Sequence, residues 1–382
     1  MVVRERYFQQ IVDQFRVHSV CAILGPRQVG KTTLAKQYAA QFGEDNVIFF
    51  DMERPLDVAR LDNPMMELSA HPEKLVIIDE IQMRPELFPV LRVLVDEQPR
   101  KFLILGSASR DLIRQSSETL AGRIGFIELP PFSLVEGVDA ARLWLFGGFP
   151  CSYTALTEAD SFRWRENYIN TFLERDVPAL GFNIPARQLH RFWVMLAHYH
   201  GQTFNASEIG RSLGVSDHTC RRYLDILIGT FMIRELLPWF ESLQKRQVRA
   251  PKIYFRDIGI LNALLNLKDE KAMDDNPRLG AFWEGFALEE VTKAYNLRTE
   301  DCFFWATHAS AELDLLLFRN GKRLGIEFKY ADAPKTTKSM YVAIEDLHLD
   351  QLIVVYPGNQ NYVLDNKITV RGLLDLCTNQ EL

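Results

Sequence analysis

The first 135 residues alternate short apolar runs with longer amphipathic stretches, a pattern typical of a parallel sheet flanked by helices. Apolar residues at helical spacing predict helices over residues 5–15 and 84–97. The apolar runs predict five strands, at Val20–Leu24, Asn46–Phe50, Leu75–Asp79, Phe102–Gly106 and Ile124–Leu129. The fold class predicted for this part of the chain is α/β.

The pattern changes twice beyond residue 135. After breaks at Pro130-Pro131 and at residues 147–150, the spacing of apolar residues is helical as far as about residue 267. Residues 269–277 are charged and polar, which predicts a linker. A helical pattern then covers residues 280–294, and four strands are predicted, near residues 303–305, 312–318, 324–329 and 351–356. We therefore predict three segments, covering residues 1–135, 136–268 and 269–382.

The loop after the first predicted strand has a phosphate-binding pattern. It has glycine at its first and sixth positions, followed by Lys31 and Thr32. Gly25 and Gly30 allow torsions that turn backbone N–H groups towards phosphate oxygens. Lys31 supplies positive charge for the β- and γ-phosphates, and Thr32 supplies a hydroxyl for Mg²⁺. We predict ATP and Mg²⁺ as cofactors, with a binding loop made of Gly25, Pro26, Arg27, Gln28, Val29, Gly30, Lys31, Thr32 and Thr33.

The strand over residues 75–79 ends in two carboxylates. In a nucleotide hydrolase, Asp79 would hold Mg²⁺ through water and Glu80 would polarise the attacking water. Acidic residues are also common at turns after buried strands, but the phosphate loop upstream favours the functional interpretation. We expect the next strand to end between these two elements, so that Ser107 reaches the γ-phosphate or the water. A serine that only satisfies a turn is the alternative.

Arg123 directly precedes the fifth predicted strand. An arginine there could reach the γ-phosphate of a neighbouring subunit and stabilise transition-state charge as an arginine finger. This role would make the protein a homo-oligomer. Arg110, Arg114 and Arg175 compete for the same role.

These motifs resemble a prokaryotic AAA-superfamily ATPase family whose members carry a C-terminal domain of unknown function. The resemblance rests on the loop, residues 79–82, Gly106-Ser107 and residues 120–123, and it extends to residues 147–150, 174–176 and 251–257. It implies an AAA-like P-loop core over 1–135, a helical lid and winged-helix region over 136–268, and a nuclease-like α/β domain over 269–382.

The central segment contains a predicted helix–turn–helix. Residues 207–213 and 217–227 form the two helices around a turn at residues 214–216. The second helix would expose His218, Thr219, Arg221 and Arg222, which suits contacts with phosphates and base edges. Further basic residues are Arg211, Lys245, Arg246 and Arg249. DNA is therefore a candidate partner, and a packing or hinge role is the alternative.

A second group of charged residues lies in the last segment. Glu327 and Lys329 are two residues apart on a predicted strand, so their side chains share one face, and Asp314 can face them from a paired strand. Glu284 or Glu289 could complete a shell for Mg²⁺. This group resembles the PD-(D/E)xK nuclease superfamily, with Asp314, Glu327 and Lys329 at its acid, acid and lysine positions. A surface salt bridge is the alternative.

Bulk properties narrow the function classes. The chain has 382 residues and a net charge of −6, so any contact with nucleic acid needs a local basic patch. No apolar run is long enough to cross a membrane, and five scattered cysteines argue against a disulfide framework or a zinc site.

We expect a cytoplasmic ATPase whose nucleotide state controls a DNA-associated, nuclease-like module. The alternative is a nucleotide-switched regulatory or scaffold protein that hydrolyses ATP slowly and cleaves nothing. A small-molecule kinase is disfavoured because no acceptor site is recognisable.

Overall fold

The computed structural model describes residues 2–109, 120–241, 247–309 and 311–379. The chain divides into two compact units. The first contains the chain up to Pro131 together with Thr171–Ile184 and Gly229–Phe231, and the second contains the remainder. The chain therefore leaves the first unit at Pro131 and returns to it twice. The predicted central and C-terminal segments, apart from these two returns, both lie in the second unit.

The first unit is built on a parallel sheet of five strands, which confirms the five predicted strands. The strands are β1 (Val20–Leu24), β2 (Val47–Asp51), β3 (Leu75–Asp79), β4 (Lys101–Gly106) and β5 (Ile124–Glu128). Their spatial order is β2-β3-β4-β1-β5. Because β4 pairs with both β1 and β3, its end lies between the phosphate loop and Asp79, as predicted.

Helices cover this sheet. Those among the described residues of the first unit are Glu5–Val17, Lys31–Ala39, Pro55–Arg60, Pro64–Ser69, Leu87–Glu97 and the short Val177–Ala179. The strands β1 and β3 are buried along their whole length, as expected for parallel strands covered on both faces. The second return segment also contributes to this core, since Phe231 packs in the same apolar cluster as Phe102 and Leu120.

The first return segment contains a π-helix at Phe172–Asp176. The N–H of Val177 bonds to the carbonyl of Phe172, five residues earlier rather than four. Pro178 follows, and because proline has no N–H, it cannot donate to the carbonyl of Glu174 as a regular α-helix would require. The wide turn thus precedes a position where regular helical bonding fails, and it places Asp176 in a buried position.

The second unit has a mixed sheet ordered β13-β14-β12-β11-β10-β9-β7-β8-β6. The strands are β6 (Gln202–Thr203), β7 (Ile233–Pro238), β8 (Lys252–Phe255), β9 (Cys302–Ala306), β10 (Glu312–Arg319), β11 (Lys322–Phe328), β12 (Gln351–Tyr356), β13 (Tyr362–Asp365) and β14 (Ile368–Gly372). The helices described in this unit are Ala140–Phe146, Pro150–Tyr153, Glu158–Thr171, Ala186–His198, Ala206–Leu213, Asp217–Gly229, Ile258–Leu264, Glu270–Asp274, Leu279–Ala294, Lys338–Asp346 and Leu373–Asn379.

Two sequence predictions for this unit were wrong. The stretch 269–277, predicted as a linker, contains the helix Glu270–Asp274, which begins because the Asp269 side chain accepts a 2.8 Å hydrogen bond from the N–H of Ala272. The segment predicted as helical also contains β6, β7 and β8. All four residues of β8 are buried, and a short, wholly buried run shows no alternation that would distinguish a strand from a helix.

No helix among the described residues is both long enough and apolar enough to cross a lipid bilayer.

Candidate nucleotide site

The loop between β1 and the helix Lys31–Ala39 needs glycine at two positions. Gly30 has a left-handed backbone with φ of 95°. A Cβ on Gly25 would lie 2.2 Å from the carbonyl oxygen of Leu129, so no larger residue fits. Arg4 anchors the loop from outside, because its guanidinium donates to the carbonyl oxygens of Val29 at 3.3 Å and Pro130 at 2.9 Å. The sequence gives no signal for this role of Arg4.

Lys31 turns back over the loop. Its Nζ donates to the carbonyl oxygens of Gly25 and Pro26, both at 2.9 Å, and the side chain is buried. Burial lowers the pKa of Lys31, and the charges of Glu80 and Asp79 oppose that shift. The ammonium is therefore held over the loop, where a lysine that binds the β- and γ-phosphates is expected.

Thr32, in the first turn of the helix Lys31–Ala39, meets Asp79, the last residue of β3. The Thr32 hydroxyl donates a 2.6 Å hydrogen bond to Asp79 Oδ2, and the N–H of Glu80 donates to Asp79 Oδ1 at 3.0 Å. Burial raises the pKa of Asp79, and the hydrogen bond from Thr32 opposes the rise. A hydroxyl and a carboxylate are oxygen ligands of the kind Mg²⁺ prefers, so this pair fits the predicted ion.

Glu80 lies in a small polar triangle. Its backbone is left-handed, with φ of 54°, which directs the chain abruptly away from β3. Its Oε2 accepts a 2.9 Å hydrogen bond from the Ser107 hydroxyl and another hydrogen bond from Gln82. Gln82 Nε2 also lies 2.9 Å from Ser107 Oγ. The structure thus brings Glu80 and Ser107 together and adds Gln82, to which sequence reasoning had given no role.

Arg27, in the middle of the loop, is surrounded by carboxylates. It forms ion pairs with Glu53 and Asp176, and its Nε lies 3.9 Å from Glu80 Oε1. Arg175 joins the group through a 2.9 Å contact with Glu53. Burial alone would lower the pKa of Arg27, but the charges of Asp176 and Glu80 raise it. The predicted loop residue Arg27 therefore has partners that only the folded structure reveals.

Arg123 lies away from this site within one chain. Its backbone carbonyl accepts from the N–H of Val20, at the start of β1, whereas the phosphate loop follows the end of β1. Its guanidinium pairs with Asp96, with a 3.0 Å hydrogen bond from Nη2. Among the alternatives, Arg175 lies near the loop through its contact with Glu53, and Arg110 and Arg114 fall outside the described residues. A finger role for Arg123 therefore requires a second subunit.

The second predicted group also comes together, in the second unit. Asp314 and Glu327 lie on the antiparallel neighbours β10 and β11, and the N–H of Asp314 lies 3.4 Å from Glu327 Oε2. The N–H of Phe328 donates to Asp314 Oδ2 at 2.9 Å, and Lys329 Nζ donates to Glu327 Oε1 at 2.9 Å. Burial and then the charge of Glu327 raise the pKa of Asp314. The plain surface salt bridge therefore does not describe this group, since both carboxylates are buried.

Lys252, which sequence reasoning missed, sits between these acids. Its Nζ lies 3.3 Å from Glu284 Oε1 and 4.0 Å from Asp314 Oδ1, and it also pairs with Glu312. Glu284 thus joins the group. Glu289 does not, because it pairs with Arg234 at 3.1 Å. Among the described residues, no three or more His, Cys, Asp or Glu side chains gather as ligands for a metal ion.

The predicted helix–turn–helix is present as the helices Ala206–Leu213 and Asp217–Gly229. The cap of the first helix is Asn205, whose side chain accepts from the N–H of Glu208. His218 and Arg222 are exposed, but Arg221 pairs with Glu235 at 2.7 Å and lies over the ring of Phe204. Lys245 and Arg246 fall outside the described residues, so their part in a basic patch stays a prediction.

Known protein families match three parts of this chain, and the first match includes the phosphate loop. Residues 17–138 match a family described as AAA domain, and residues 138–271 and 279–375 match domains of unknown function, DUF8612 and DUF4143. The uncharacterized protein Rv2008c of Mycobacterium tuberculosis is 48% identical over 353 residues, which cover 91% of this chain and 79% of the relative. Mb2031c of Mycobacterium bovis matches to the same extent. The chain belongs to the family of these uncharacterized mycobacterial proteins.

The AAA domain match over residues 17–138 gives the first unit a biochemical class. Its AAA domain is of the P-loop ATPase type, so Gly25 to Thr33 lie in an ATP-binding domain. The DUF4143 match over residues 279–375 is to a domain of unknown function, so it assigns no activity to the C-terminal part of the chain. The resemblance of this part to nucleases stays a prediction.

Two solved structures are partly similar. The Walker-type ATPase PABY2304 of Pyrococcus abyssi has a TM-score of 0.47 at 16% identity, covering 69% of this chain and 96% of that chain. The Orc1 protein of Aeropyrum pernix, solved in complex with DNA, has a TM-score of 0.36 at 11% identity, covering 70% and 93%. Likenesses of this extent support no conclusion about the activity of this chain.

Proposed function

We propose that this chain is a Mg²⁺-dependent ATPase whose nucleotide state controls its C-terminal module. One observation carries the hydrolytic part. Glu80 and Ser107 are hydrogen-bonded at the ends of adjacent strands, next to the Thr32–Asp79 pair. These contacts support the proposal of a base for water and a pair of oxygen ligands for Mg²⁺ beside the phosphate loop.

Each residue has a role in this proposal. Lys31 binds the β- and γ-phosphates, and Thr32 and Asp79 hold Mg²⁺, whose charge stabilises the transferring phosphoryl group. Glu80 takes a proton from the attacking water, and Ser107 orients either Glu80 or that water. An arginine finger from a neighbouring subunit, with Arg123 as candidate, would neutralise charge in the transition state.

Phosphate release by the purified full chain tests the hydrolytic part. Lys31→Ala should abolish nucleotide binding, and Glu80→Gln should leave binding intact while reducing hydrolysis on the order of 10²-fold or more. Lys36→Ala, an exposed lysine on the same helix, is the matched control and should hydrolyse ATP normally. If both Lys31→Ala and Glu80→Gln keep full ATP turnover, the ATPase proposal is wrong.

For the C-terminal module, the buried carboxylates Asp314 and Glu327, with the half-buried Lys329 beside them, support a metal-dependent phosphodiesterase on DNA. Two carboxylates would hold Mg²⁺, and Lys329 would orient or deprotonate water. The Lys252 ammonium supports the second candidate, a regulatory or scaffold module, because it already neutralises part of the acidic charge.

Strand cleavage separates the two candidates. Single-stranded DNA, duplex DNA and RNA are incubated with Mg²⁺ or Mn²⁺, with and without ATP. An active module should lose cleavage in Asp314→Ala and Glu327→Ala but not in the control Asp332→Ala, an exposed acid two residues beyond Tyr330. Cleavage that persists in both variants, or no cleavage by the wild type, favours the regulatory module.

A further inference from the structure

The partners of Arg27 come from two distant parts of the chain. Glu53 follows β2, and Asp176 lies in the π-helix Phe172–Asp176 of the first return segment. The Arg27 side chain is 16% exposed and that of Asp176 is 7% exposed, so this ion pair is largely shielded from solvent. A shielded pair with a planar guanidinium fixes the geometry of both partners more strongly than an exposed pair does.

Arg27 is also within the phosphate loop itself, four residues before Lys31. Its Nε faces Glu80 Oε1 at 3.9 Å, so the same guanidinium borders the loop, the residue proposed to activate water, and Asp176. A nucleotide γ-phosphate in this loop would bring negative charge close to Arg27. It would therefore compete with Glu53, Glu80 and Asp176 for the guanidinium.

The segment that carries Asp176 is suited to respond. The chain enters it from helix Glu158–Thr171 of the second unit and leaves it at Pro185 into the second unit again. The π-helix has one residue more per turn than an α-helix would have there, so a change to α-helical bonding would rotate Asp176. A shift of the Arg27–Asp176 contact would thus be passed along the backbone in both directions.

We propose that Asp176 is a positioning residue of the ATPase, which acts on the phosphate loop through Arg27 and couples nucleotide binding to the segment Thr171–Ile184. The inference rests on the proposed ATPase function and deepens it by naming the element that carries the nucleotide state. Asp176 itself does not contact the reacting atoms. Its carboxylate fixes the position of the Arg27 guanidinium, and Arg27 in turn fixes the conformation of the phosphate loop to which it belongs.

A double-mutant cycle on the full chain tests the pair. Arg27→Gln and Asp176→Asn should each raise the Kd for a fluorescent non-hydrolysable ATP analogue by about tenfold, and the double variant should be no worse than either single variant. Glu174→Gln removes an exposed carboxylate from the same π-helix and should bind normally. Asp176→Glu should restore most of the affinity, which a variant that merely misfolds could not do.

Hydrogen exchange supplies a readout that a purely structural role would not move. In the wild type, binding of the ATP analogue should change the hydrogen-exchange rates of the backbone amides between residues 172 and 180, apart from Pro178. In Asp176→Asn, a saturating concentration of the analogue should produce no such change. Independent, multiplying effects on Kd, or unchanged exchange at these amides in the wild type, would overturn the inference. The ATPase proposal survives that result, because it is tested separately, by phosphate release from the wild type, Lys31→Ala and Glu80→Gln.

Discussion

The hydroxyl of Ser107 donates a 2.9 Å hydrogen bond to Oε2 of Glu80, across the adjacent ends of β4 and β3. Because Gln82 donates to the same carboxylate oxygen, removing the hydroxyl should tilt Glu80 without freeing it. We expect Ser107→Ala to lower kcat about tenfold, the scale of one hydrogen bond to a charged group, with little change in the Kd for ATP. Steady-state kinetics and nucleotide titration measure the two quantities, and a raised Kd with normal kcat would contradict the positioning role.

The Thr32–Asp79 pair predicts a metal dependence. Asp79→Asn keeps the shape of the side chain but removes its charge, so Mg²⁺ should bind the nucleotide complex more weakly. We expect hydrolysis to fall on the order of 10²-fold and to recover in part at high Mg²⁺ concentration. Addition of EDTA to the wild type should abolish phosphate release. The control Asp62→Asn, at an exposed acid after helix Pro55–Arg60, should retain the wild-type response to Mg²⁺.

Gly30 and Gly122 offer a matched pair for testing the loop. Both have left-handed backbones, with φ of 95° and 77°, and a Cβ on either would meet open space. Alanine at each position should therefore cost about 1–2 kcal/mol in the free energy of unfolding through backbone strain alone. Only Gly30→Ala alters the phosphate loop, so only that variant should raise the Kd for ATP, by about tenfold or more. Equal affinities in the two variants would argue against a phosphate-binding role for the loop.

His200 predicts an acid sensitivity of the second unit. Burial, and then the charge of Arg278, lowers the pKa of His200 to about 3, and its Nδ1 accepts a 3.0 Å hydrogen bond from the N–H of Phe255. The unfolded chain takes up a proton near pH 6.5, whereas the folded chain does not until far lower pH. Stability is therefore lost as the pH falls from about 6.5 towards 3, by about 2 kcal/mol between pH 6.5 and pH 5.

The variant His200→Asn tests this source of acid sensitivity. Its amide oxygen can still accept from Phe255, but the side chain does not titrate. The variant should be less stable than the wild type at pH 7, because it loses ring contacts with Tyr254 and Phe282. That difference should shrink as the pH is lowered to 5, in denaturant titrations followed at each pH. A difference that stays constant with pH would exclude His200 as the titrating group.

The sequence predicted the fold best at positions where the chemistry of a few neighbouring residues determines the local structure. The loop at Gly25–Thr32 and the buried strand ending at Asp79 have patterns that only a few local structures satisfy, and β4 was predicted between them. The strand pattern also placed Asp314 opposite Glu327. In contrast, β8 at Lys252–Phe255 was not predicted, because its four residues are all buried and show no alternation of buried and exposed positions. Lys252 was therefore not recognised as a site residue.

The remaining site residues depend on long-range folding. Asp176 contacts Arg27 only because the chain returns to the first unit after residue 170. No local sequence pattern predicts that return. Arg4 and Gln82 similarly gain their roles from the backbone or side chains they reach in space. Gln82 and Asp176 lie in motifs that the family resemblance includes, but charged and amide residues are more often solvated, so the sequence alone assigns them no role.

The returning segments have a consequence for synthesis on the ribosome. The core of the first unit includes Phe231, and the N–H of Ser109 bonds to the carbonyl of Gly229 at 2.7 Å, so this core is incomplete when Pro131 has been made. Another 100 residues, from 132 to 231, must be translated first. At roughly 5–20 residues per second this takes about 5–20 s. During that interval, the nascent chain exposes apolar surface that the finished core of the first unit buries, and such exposed surface favours aggregation.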